Sequence, residues 1–290
     1  MAESIRSIKK IIRGRAAVDG AGVRLVRLFG RDEVRDFDPF LLLDAFDSSN
    51  PDDYIRGFPW HPHRGIETIT YLIKGDLEHG DSLGNSGSIL DGDCQWMTAG
   101  SGIIHQEMPQ PAEHLLGCQI WLNLPAKDKM TVPAYNDILD ADVPVIDEGT
   151  TLIHIISGTY KAHQGAFEGQ YVSPLYLDVD IKADGEWSLV TEAGFTFFIY
   201  VLAGGAYFDT GLDVQNSEQL IPEKSVVLFD EGEQFWVRAG DTGARFLLWC
   251  AQPLNEPIAW GGPIVMNTAE ELDQAFSDLR QNTFLKASAK

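Results

Sequence analysis

The chain has 290 residues, of which 44% are hydrophobic and 22% charged, a composition typical of a folded globular protein and unlike that of a disordered chain. Its 43 acidic and 22 basic residues give a net charge of −21, which disfavours direct binding to nucleic acid. The most apolar stretch, residues 195–208, is too short to span a bilayer, and the three cysteines are widely spaced and odd in number, so we expect a soluble cytoplasmic protein without disulfides.

The first predicted segment is basic, in contrast to the rest of the chain. Residues 1–36 contain nine Lys or Arg and five Asp or Glu. We interpret this segment as a solvated strand face, because runs of charge usually are, and contact with an acidic partner stays open.

Short runs rich in β-branched and aromatic residues recur along the chain. They include residues 67–73, 225–229 and 245–250, and many of the 28 glycines and 14 prolines separate such runs. This pattern predicts an all-β sandwich or barrel.

The clearest helical pattern lies near the C terminus. Thr268 and Glu271 form a capping box ahead of apolar residues at helical spacing. Those apolar residues are Leu272, Ala275, Phe276 and Leu279. We expect this short helix to pack on the outside of a sheet.

An internal repeat predicts two β domains of the same kind. Residues 71–75 resemble residues 200–204 at an offset of 129, and residues 102–105 align with residues 232–235 at an offset of 130. The Pro- and Asp-rich stretch that follows residue 132 suits a linker, so we place the domains at 1–135 and 136–290.

Two short motifs carry residues suited to metal chemistry. His61 and His63 flank a proline, and His105 and Glu107 follow a glycine-rich turn. Residues i and i+2 of a strand share a face, so each motif can present two ligands side by side. Three imidazoles and one carboxylate suit Fe, Mn, Ni, Cu or Zn, and six-coordination would leave up to two positions open.

Several segments resemble the motifs of the pirin family of bicupins. The matching segments are His61–Leu72, Gly92–Gly100, Ile104–Pro109 and Gly262–Thr268, with Asp38–Asp44 and Gln119–Asn123 in addition. The resemblance implies two tandem cupin domains, each a jelly-roll β-barrel, with one iron ion (Fe2+ or Fe3+) in the N-terminal domain.

The same resemblance implies which residues bind the metal. The pirin ligands fall on His61, His63, His105 and Glu107, and other divalent transition metals are alternatives to iron. An ordinary cupin would use Glu67 as its carboxylate ligand, whereas the pirin pattern makes Glu67 a neighbour of the ligands.

The repeat predicts that the second domain lacks a metal. The repeat offsets carry the four ligand positions onto Val190, Glu192, Phe235 and Val237. These side chains cannot together hold a transition metal, so the C-terminal cupin domain is expected to be free of it.

Members of this family resemble quercetin 2,3-dioxygenases, which implies an oxidoreductase that opens a flavonol ring with O2 and releases CO. Glu107 is the candidate catalytic base. Phe58, Trp60, Met97 and Gln119 are candidates for a pocket around a small aromatic substrate, although each could equally belong to the core.

A second interpretation is a redox-sensitive iron protein that binds a protein partner, either a transcriptional co-regulator or a metabolic enzyme. A change in iron oxidation state would then alter a surface that the partner reads. In either role we expect a monomer, because two cupin domains in one chain supply the pairing that single cupins gain by dimerising.

Overall fold

A computed structural model describes residues 4–208 and 220–286. The described residues cluster into two compact units: a larger unit of residues 15–140 and 254–286, and a smaller unit of residues 4–14, 141–208 and 220–253. The sequence predicts a domain boundary between residues 135 and 136. In the structure, this position lies within a strand of the larger unit, Ala134–Ile138. Across the described ranges, no helix is both long and apolar enough to cross a membrane.

Antiparallel strands dominate both units, which confirms the all-β prediction. Up to residue 140 the strands are β1 (Ile8–Arg13), β2 (Arg15–Asp19), β3 (Val23–Phe29), β4 (Phe40–Ser48), β5 (Phe58–His63), β6 (Ile66–Lys74), β7 (Leu77–Asp81), β8 (Ser86–Ile89), β9 (Cys94–Thr98), β10 (Ile103–Pro109), β11 (Leu115–Asn123) and β12 (Ala134–Ile138). Beyond it they are β13 (Val145–Asp147), β14 (Thr151–Ser157), β15 (Thr159–Tyr160), β16 (His163–Gln164), β17 (Leu175–Ile181), β18 (Glu186–Val190), β19 (Thr196–Phe208), β20 (Ile221–Pro222), β21 (Ser225–Phe229), β22 (Gln234–Ala251), β23 (Ala259–Gly261) and β24 (Ile264–Met266). The α-helices are α1 (Val34–Phe37) and α2 (Ala269–Arg280).

The larger unit contains two principal sheets. One has seven strands in the order β12-β9-β6-β11-β4-β3-β2, and the other has four in the order β5-β10-β7-β8. Both predicted metal motifs lie in the four-stranded sheet, on the neighbouring strands β5 and β10.

The interior of the larger unit is apolar at both ends and polar in between. On strand β6, Ile66 belongs to one apolar cluster and Leu72 to another. Thr68 and Thr70 lie between them on the same face of the strand, and both are fully buried. Buried hydroxyls require polar partners, so this middle band is where a polar site is built.

The smaller unit has a continuous apolar interior. Its main sheet has nine strands: β1, β21, β19, β22, β17, β14 and β13 follow one another, while β18 pairs with β22 and β20 pairs with β19. Phe235 and Val237, two of the positions reached by the repeat offset, belong to its core with 0% exposure. The other two, Val190 and Glu192, are exposed.

The C-terminal helix α2 has the capping box that the sequence predicts. The Thr268 hydroxyl accepts a hydrogen bond from the Glu271 amide, and the Glu271 carboxylate accepts one from the Thr268 amide. The apolar face of α2 packs with Ile264 and Met266 of β24 and with Phe284. The helix therefore belongs to the larger unit, beside the strand that carries His105.

Candidate metal centre

The two histidine motifs meet because β5 and β10 pair in register. His61 lies directly opposite His105, and His63 shares a strand face with His61. The ring centroids of His61 and His105 are 4.3 Å apart, those of His61 and His63 4.8 Å, and those of His63 and His105 5.1 Å. One ligand atom from each ring lies within 4.8 Å of the others, so the three imidazoles form one cluster.

Two backbone carbonyls fix the orientation of two of these rings. His61 Nδ1 lies 2.9 Å from the Pro59 oxygen, and His63 Nδ1 lies 3.0 Å from the Pro263 oxygen. A carbonyl only accepts, so both Nδ1 atoms carry the proton and donate it. The Nε2 atoms are then free to act as metal ligands, in the arrangement that outer hydrogen bonds commonly impose on metal-binding histidines.

The Nε2 atoms are spaced as the ligands of a single cation would be. His61 Nε2 and His63 Nε2 are 3.0 Å apart, and the buried His105 Nε2 has no hydrogen-bond partner among the residues that the structure describes. Two nitrogens bound at right angles to one ion, each at about 2.1 Å, would be separated by about 3.0 Å. The donor set and its unsatisfied atom therefore fit a divalent transition metal.

Burial keeps two of the imidazoles, those of His63 and His105, suited to metal binding. It lowers the pKa of His63 to about 3, with a contribution from neighbouring His61. Burial also lowers the pKa of His105 well below its ordinary value, and the other two histidines act in the same direction. A neutral imidazole is the form that ligates a metal.

Glu107 lies beside the cluster and is held by two neutral donors. It is 2% exposed, and its Oε1 accepts hydrogen bonds from Gln119 Nε2 at 2.8 Å and from Thr70 Oγ1 at 3.2 Å. Burial raises its pKa, while His61 and the two hydrogen bonds oppose that rise. Glu107 lines the same cavity as His61 and His63, although the three ligand atoms that cluster come from the histidines.

Glu67, the carboxylate an ordinary cupin would use, faces the other way. It alternates with Thr68 and Thr70 along β6, so it lies on the face of the sheet opposite to Thr70, the partner of Glu107. Its Oε1 accepts a hydrogen bond from Thr98 Oγ1 at 2.6 Å, and burial raises its pKa to about 7. This orientation favours Glu107 over Glu67 as the carboxylate of the site.

The turn between β5 and β6 is tied to the C-terminal segment. Arg64 donates to the Ser101 and Phe284 carbonyls and forms an ion pair with Asp278 at 2.8 Å. At Gly65, where φ is +79°, a Cβ atom would lie 2.0 Å from the Val265 oxygen. A residue with a side chain at position 65 would clash with Val265, and the clash would displace the turn that follows His63.

A cavity of about 690 Å³ adjoins the histidines and Glu107. Of the predicted pocket residues, Phe58 and Gln119 line it. Met97 is fully buried in an apolar cluster and Trp60 is 55% exposed, and neither is among the described residues that line the cavity. Sequence reasoning missed Trp121, whose ring lies 5.0 Å from that of His63.

Further lining residues come from segments that the sequence analysis did not connect with the site. They are Trp260 and Pro263 near the C terminus and three arginines, Arg15, Arg27 and Arg31, near the N terminus. The segment Gly262–Thr268, which resembles a motif of the family, was the sequence signal that pointed to Trp260 and Pro263. For the three arginines, the only sequence signal was the basic character of residues 1–36.

Three imidazoles presented inside an antiparallel β fold, arranged so that they could hold a metal ion, are typical of the cupin class. Comparison with known proteins supports this class for both halves of the chain. The family model described as pirin matches residues 22–122, and the model described as the pirin C-terminal cupin domain matches residues 176–285. The chain belongs to the pirin family and contains two cupin domains.

Individual relatives span nearly the whole chain. A Pseudomonas aeruginosa protein with a provisional name as a quercetin 2,3-dioxygenase is 41% identical, covering 95% of this chain and 96% of its own. Human pirin is 35% identical, covering 98% and 96% respectively. The crystal structure of a quercetin 2,3-dioxygenase from Acinetobacter baumannii superposes with a TM-score of 0.86 at 32% identity, covering 97% of this chain and 99% of that one.

Proposed function

We propose that this protein is a metal-dependent dioxygenase that acts on flavonols such as quercetin. The observation that carries the proposal is the cluster of three histidine rings, two of which, His61 and His63, line a cavity with aromatic walls together with Glu107. Similarity to a structure described as a quercetin 2,3-dioxygenase supports the same assignment. The net reaction combines one flavonol with one O2 and yields one ring-opened ester and one CO.

His61, His63, His105 and Glu107 would hold the metal, for which we propose iron. Imidazole and carboxylate donors also accept Mn, Ni, Cu and Zn, so metal supply contributes to the choice. A bound divalent ion supplies Lewis acidity, which favours the ionised form of a flavonol hydroxyl.

Glu107 is the group that would take the proton from that hydroxyl. Gln119 and Thr70 both donate to the same oxygen, Oε1, and so fix the orientation of the carboxylate while leaving Oε2 for another contact. Burial raises the pKa of Glu107, which makes the carboxylate a better proton acceptor than an exposed one.

The aromatic walls would orient the planar substrate and keep water away from the reacting carbons. Phe58 lies opposite Glu107 in the β5–β10 pairing, and Trp121 packs edge-on against His63. A flat ring system in this cavity would therefore contact Trp121, which packs against His63, and Phe58, which lies opposite Glu107.

The decisive test is reconstitution and turnover. Metal-free protein would be loaded anaerobically with Fe(II), its metal content measured, and quercetin and then air admitted. Loss of flavonol absorbance and release of CO would be recorded together. We expect turnover by the wild type and none by His61→Ala, whereas His163→Ala, which changes an exposed histidine of the smaller unit, should match the wild type.

Turnover that persists in His61→Ala would contradict the assigned ligands. A fully metal-loaded wild type that leaves quercetin and O2 unchanged would contradict the dioxygenase proposal. That second result would favour the redox-responsive, partner-binding role instead, and capture experiments with the Fe(II) and Fe(III) forms would follow.

A further inference from the structure

A row of polar side chains crosses the seven-stranded sheet on its cavity face. Consecutive cross-strand partners are Arg15 with Arg27, Arg27 with Asp44, Asp44 with Gln119, and Gln119 with Thr70. Residues directly opposite one another project from the same face of a sheet. The row therefore links the arginines to Gln119 and Thr70, the two residues that hold Glu107.

The length of this row suits an elongated ligand. Neighbouring strands are about 4.8 Å apart, so Arg27 lies about 10 Å from Gln119 across the sheet, and Arg15 about 14 Å. A planar molecule of two or three fused or linked rings could lie across the strands with one end at Glu107. Its other end would then be within reach of the arginines.

The flanks of the row are apolar, as a planar ligand requires. Trp121 and Leu42 are cross-strand partners in the adjacent row, and Phe46 lies two residues beyond Asp44 on the other side. All three line the cavity. The ring of Trp260 lies 5.9 Å from that of Trp121 and extends this wall.

The charges in the row are unevenly satisfied. Arg27 donates to both oxygens of Asp44, at 2.9 and 2.7 Å, and to Asp19 at 2.9 Å, so its charge is neutralised within the protein. Arg15 and Arg31 line the same cavity, are exposed, and form no salt bridge or side-chain hydrogen bond with another residue of the described ranges.

Arg15 lies directly opposite Arg27, an arrangement of like charges that destabilises a strand pair. The positive charge of Arg15 also favours the ionised form of Asp44. However, the Asp44 carboxylate already accepts hydrogen bonds from Nε and Nη2 of Arg27. In a chain of net charge −21, two unpaired guanidinium groups at one cavity attract an anion locally.

We propose that the cavity binds a planar aromatic compound with an anionic substituent at the end remote from the histidines, and that Arg15 and Arg31 bind this substituent. A carboxylate, sulfonate or phosphate ester would serve, because guanidinium groups bind the oxygens of each. The inference deepens the proposed function, since it rests on this cavity being the substrate cavity. It also gives a role to two of the nine basic residues in the segment 1–36.

The test compares quercetin with quercetin-5′-sulfonate, which differ by one anionic group. Dissociation constants would be measured by quenching of tryptophan fluorescence at pH 7, in both metal-free and Fe(II)-loaded protein under anaerobic conditions. We expect the sulfonate to bind about tenfold more tightly than quercetin in both forms, because two charge-assisted contacts at a partly exposed site are gained. The preference should shrink as salt is raised.

The double variant Arg15→Gln/Arg31→Gln should bring the ratio of the two dissociation constants close to one. Arg35→Gln, which removes an exposed arginine of α1 outside the cavity lining, should keep the preference. Equal affinities in the wild type, or a preference that survives the double substitution, would overturn the inference.

The outcome is separable from that of the proposed function. A preference for the sulfonate without turnover of either compound would uphold the anion site and contradict the dioxygenase proposal. Turnover of quercetin without a binding preference for the sulfonate would support the dioxygenase proposal and contradict the anion site. Failure of both compounds to bind would overturn both.

Discussion

At the scale of single residues, Glu107 is the side chain on which the proposed chemistry depends most directly. Its Oε1 is engaged by Gln119 and Thr70, and neither partner carries a charge that would compete for the proton. Glu67 is equally buried but faces away from Thr70, and it accepts its hydrogen bond from Thr98. The two glutamates therefore offer a matched pair of substitutions.

Glu107→Gln is expected to lower flavonol turnover by about 100-fold or more, because the amide keeps the shape but cannot take a proton. The three histidines remain, so some metal should still bind, with weaker affinity. Glu67→Gln should leave turnover close to that of the wild type. Steady-state kinetics with metal analysis on both variants would decide, and comparable losses in the two would remove Glu107 from its assigned role.

At the scale of secondary structure, the histidine strands depend on a tie to helix α2. Asp278 accepts from Arg64 and Lys286, each at 2.8 Å, and these two cations hold the pKa of Asp278 below its ordinary value. Arg64 follows His63 directly in the chain. Helix α2 therefore helps to fix the strand end that carries two of the proposed ligands.

This tie predicts a pH dependence with a definite sign. The folded-state pKa of Asp278 is depressed, so its contribution is fully present above about pH 4, the unfolded value, and is lost as the pH falls through the folded value. Asp278→Asn should lower the unfolding free energy at pH 6 by on the order of 3 kcal/mol, since Arg64 loses its buried partner. The difference from the wild type should narrow towards pH 2.

Urea unfolding of metal-free protein at several pH values would measure this effect. Asp273→Asn, at an exposed position of the same helix, is the control and should follow the wild-type pH profile. A constant difference between wild type and Asp278→Asn at every pH would contradict the assignment.

The proposed metal ligands could be predicted from the sequence because they obey a local rule. His61 and His63 share a face through the two-residue period of a strand, and so do His105 and Glu107. The partners of Glu107 depend instead on the register of β6 and β11, which non-local pairing sets. The contact between His63 and the Pro263 carbonyl joins residues 200 positions apart, beyond any local pattern.

Other parts of the site could not be predicted from the sequence for the same physical reason, which is that non-local strand pairing sets their positions. Met97 lies close to the motifs in sequence, but its place in the sheet puts it beside Ile66 in an apolar cluster. The row from Arg15 to Asp44 appears only once β2, β3 and β4 are paired, and that pairing includes a bulge after Arg27. A basic segment in the sequence thus gave no indication of which arginines face the cavity.

At the scale of the whole molecule, the two units differ in what fills their interiors. In the smaller unit, Phe197, Phe235 and Phe246 are fully buried together with Val237 in a single apolar core. In the larger unit, a polar row and a cavity of about 690 Å³ occupy the middle of the interior. Close aromatic packing leaves no donor set at the positions reached by the repeat offset, so we expect one metal ion per chain.

This difference leads to a prediction for metal-linked stability. A ligand that binds only the folded state at about 100 times its dissociation constant adds about 2.7 kcal/mol to the unfolding free energy. For a chain of this size such an increment corresponds to a rise of several degrees in the unfolding midpoint. Calorimetry of the wild type with and without Fe(II), under anaerobic conditions, should show that rise and a stoichiometry of one.

His105→Ala should abolish both the bound metal and the rise in midpoint, because His105 supplies a buried Nε2 that has no hydrogen-bond partner within residues 4–208 and 220–286. The variant should also lose some intrinsic stability, so each protein is compared with its own metal-free form. His163→Ala should respond to metal as the wild type does. Two metal ions per chain would contradict the expectation of a single site, and a midpoint in His105→Ala that still rises with Fe(II) would show that the cluster on β5 and β10 is not the binding site.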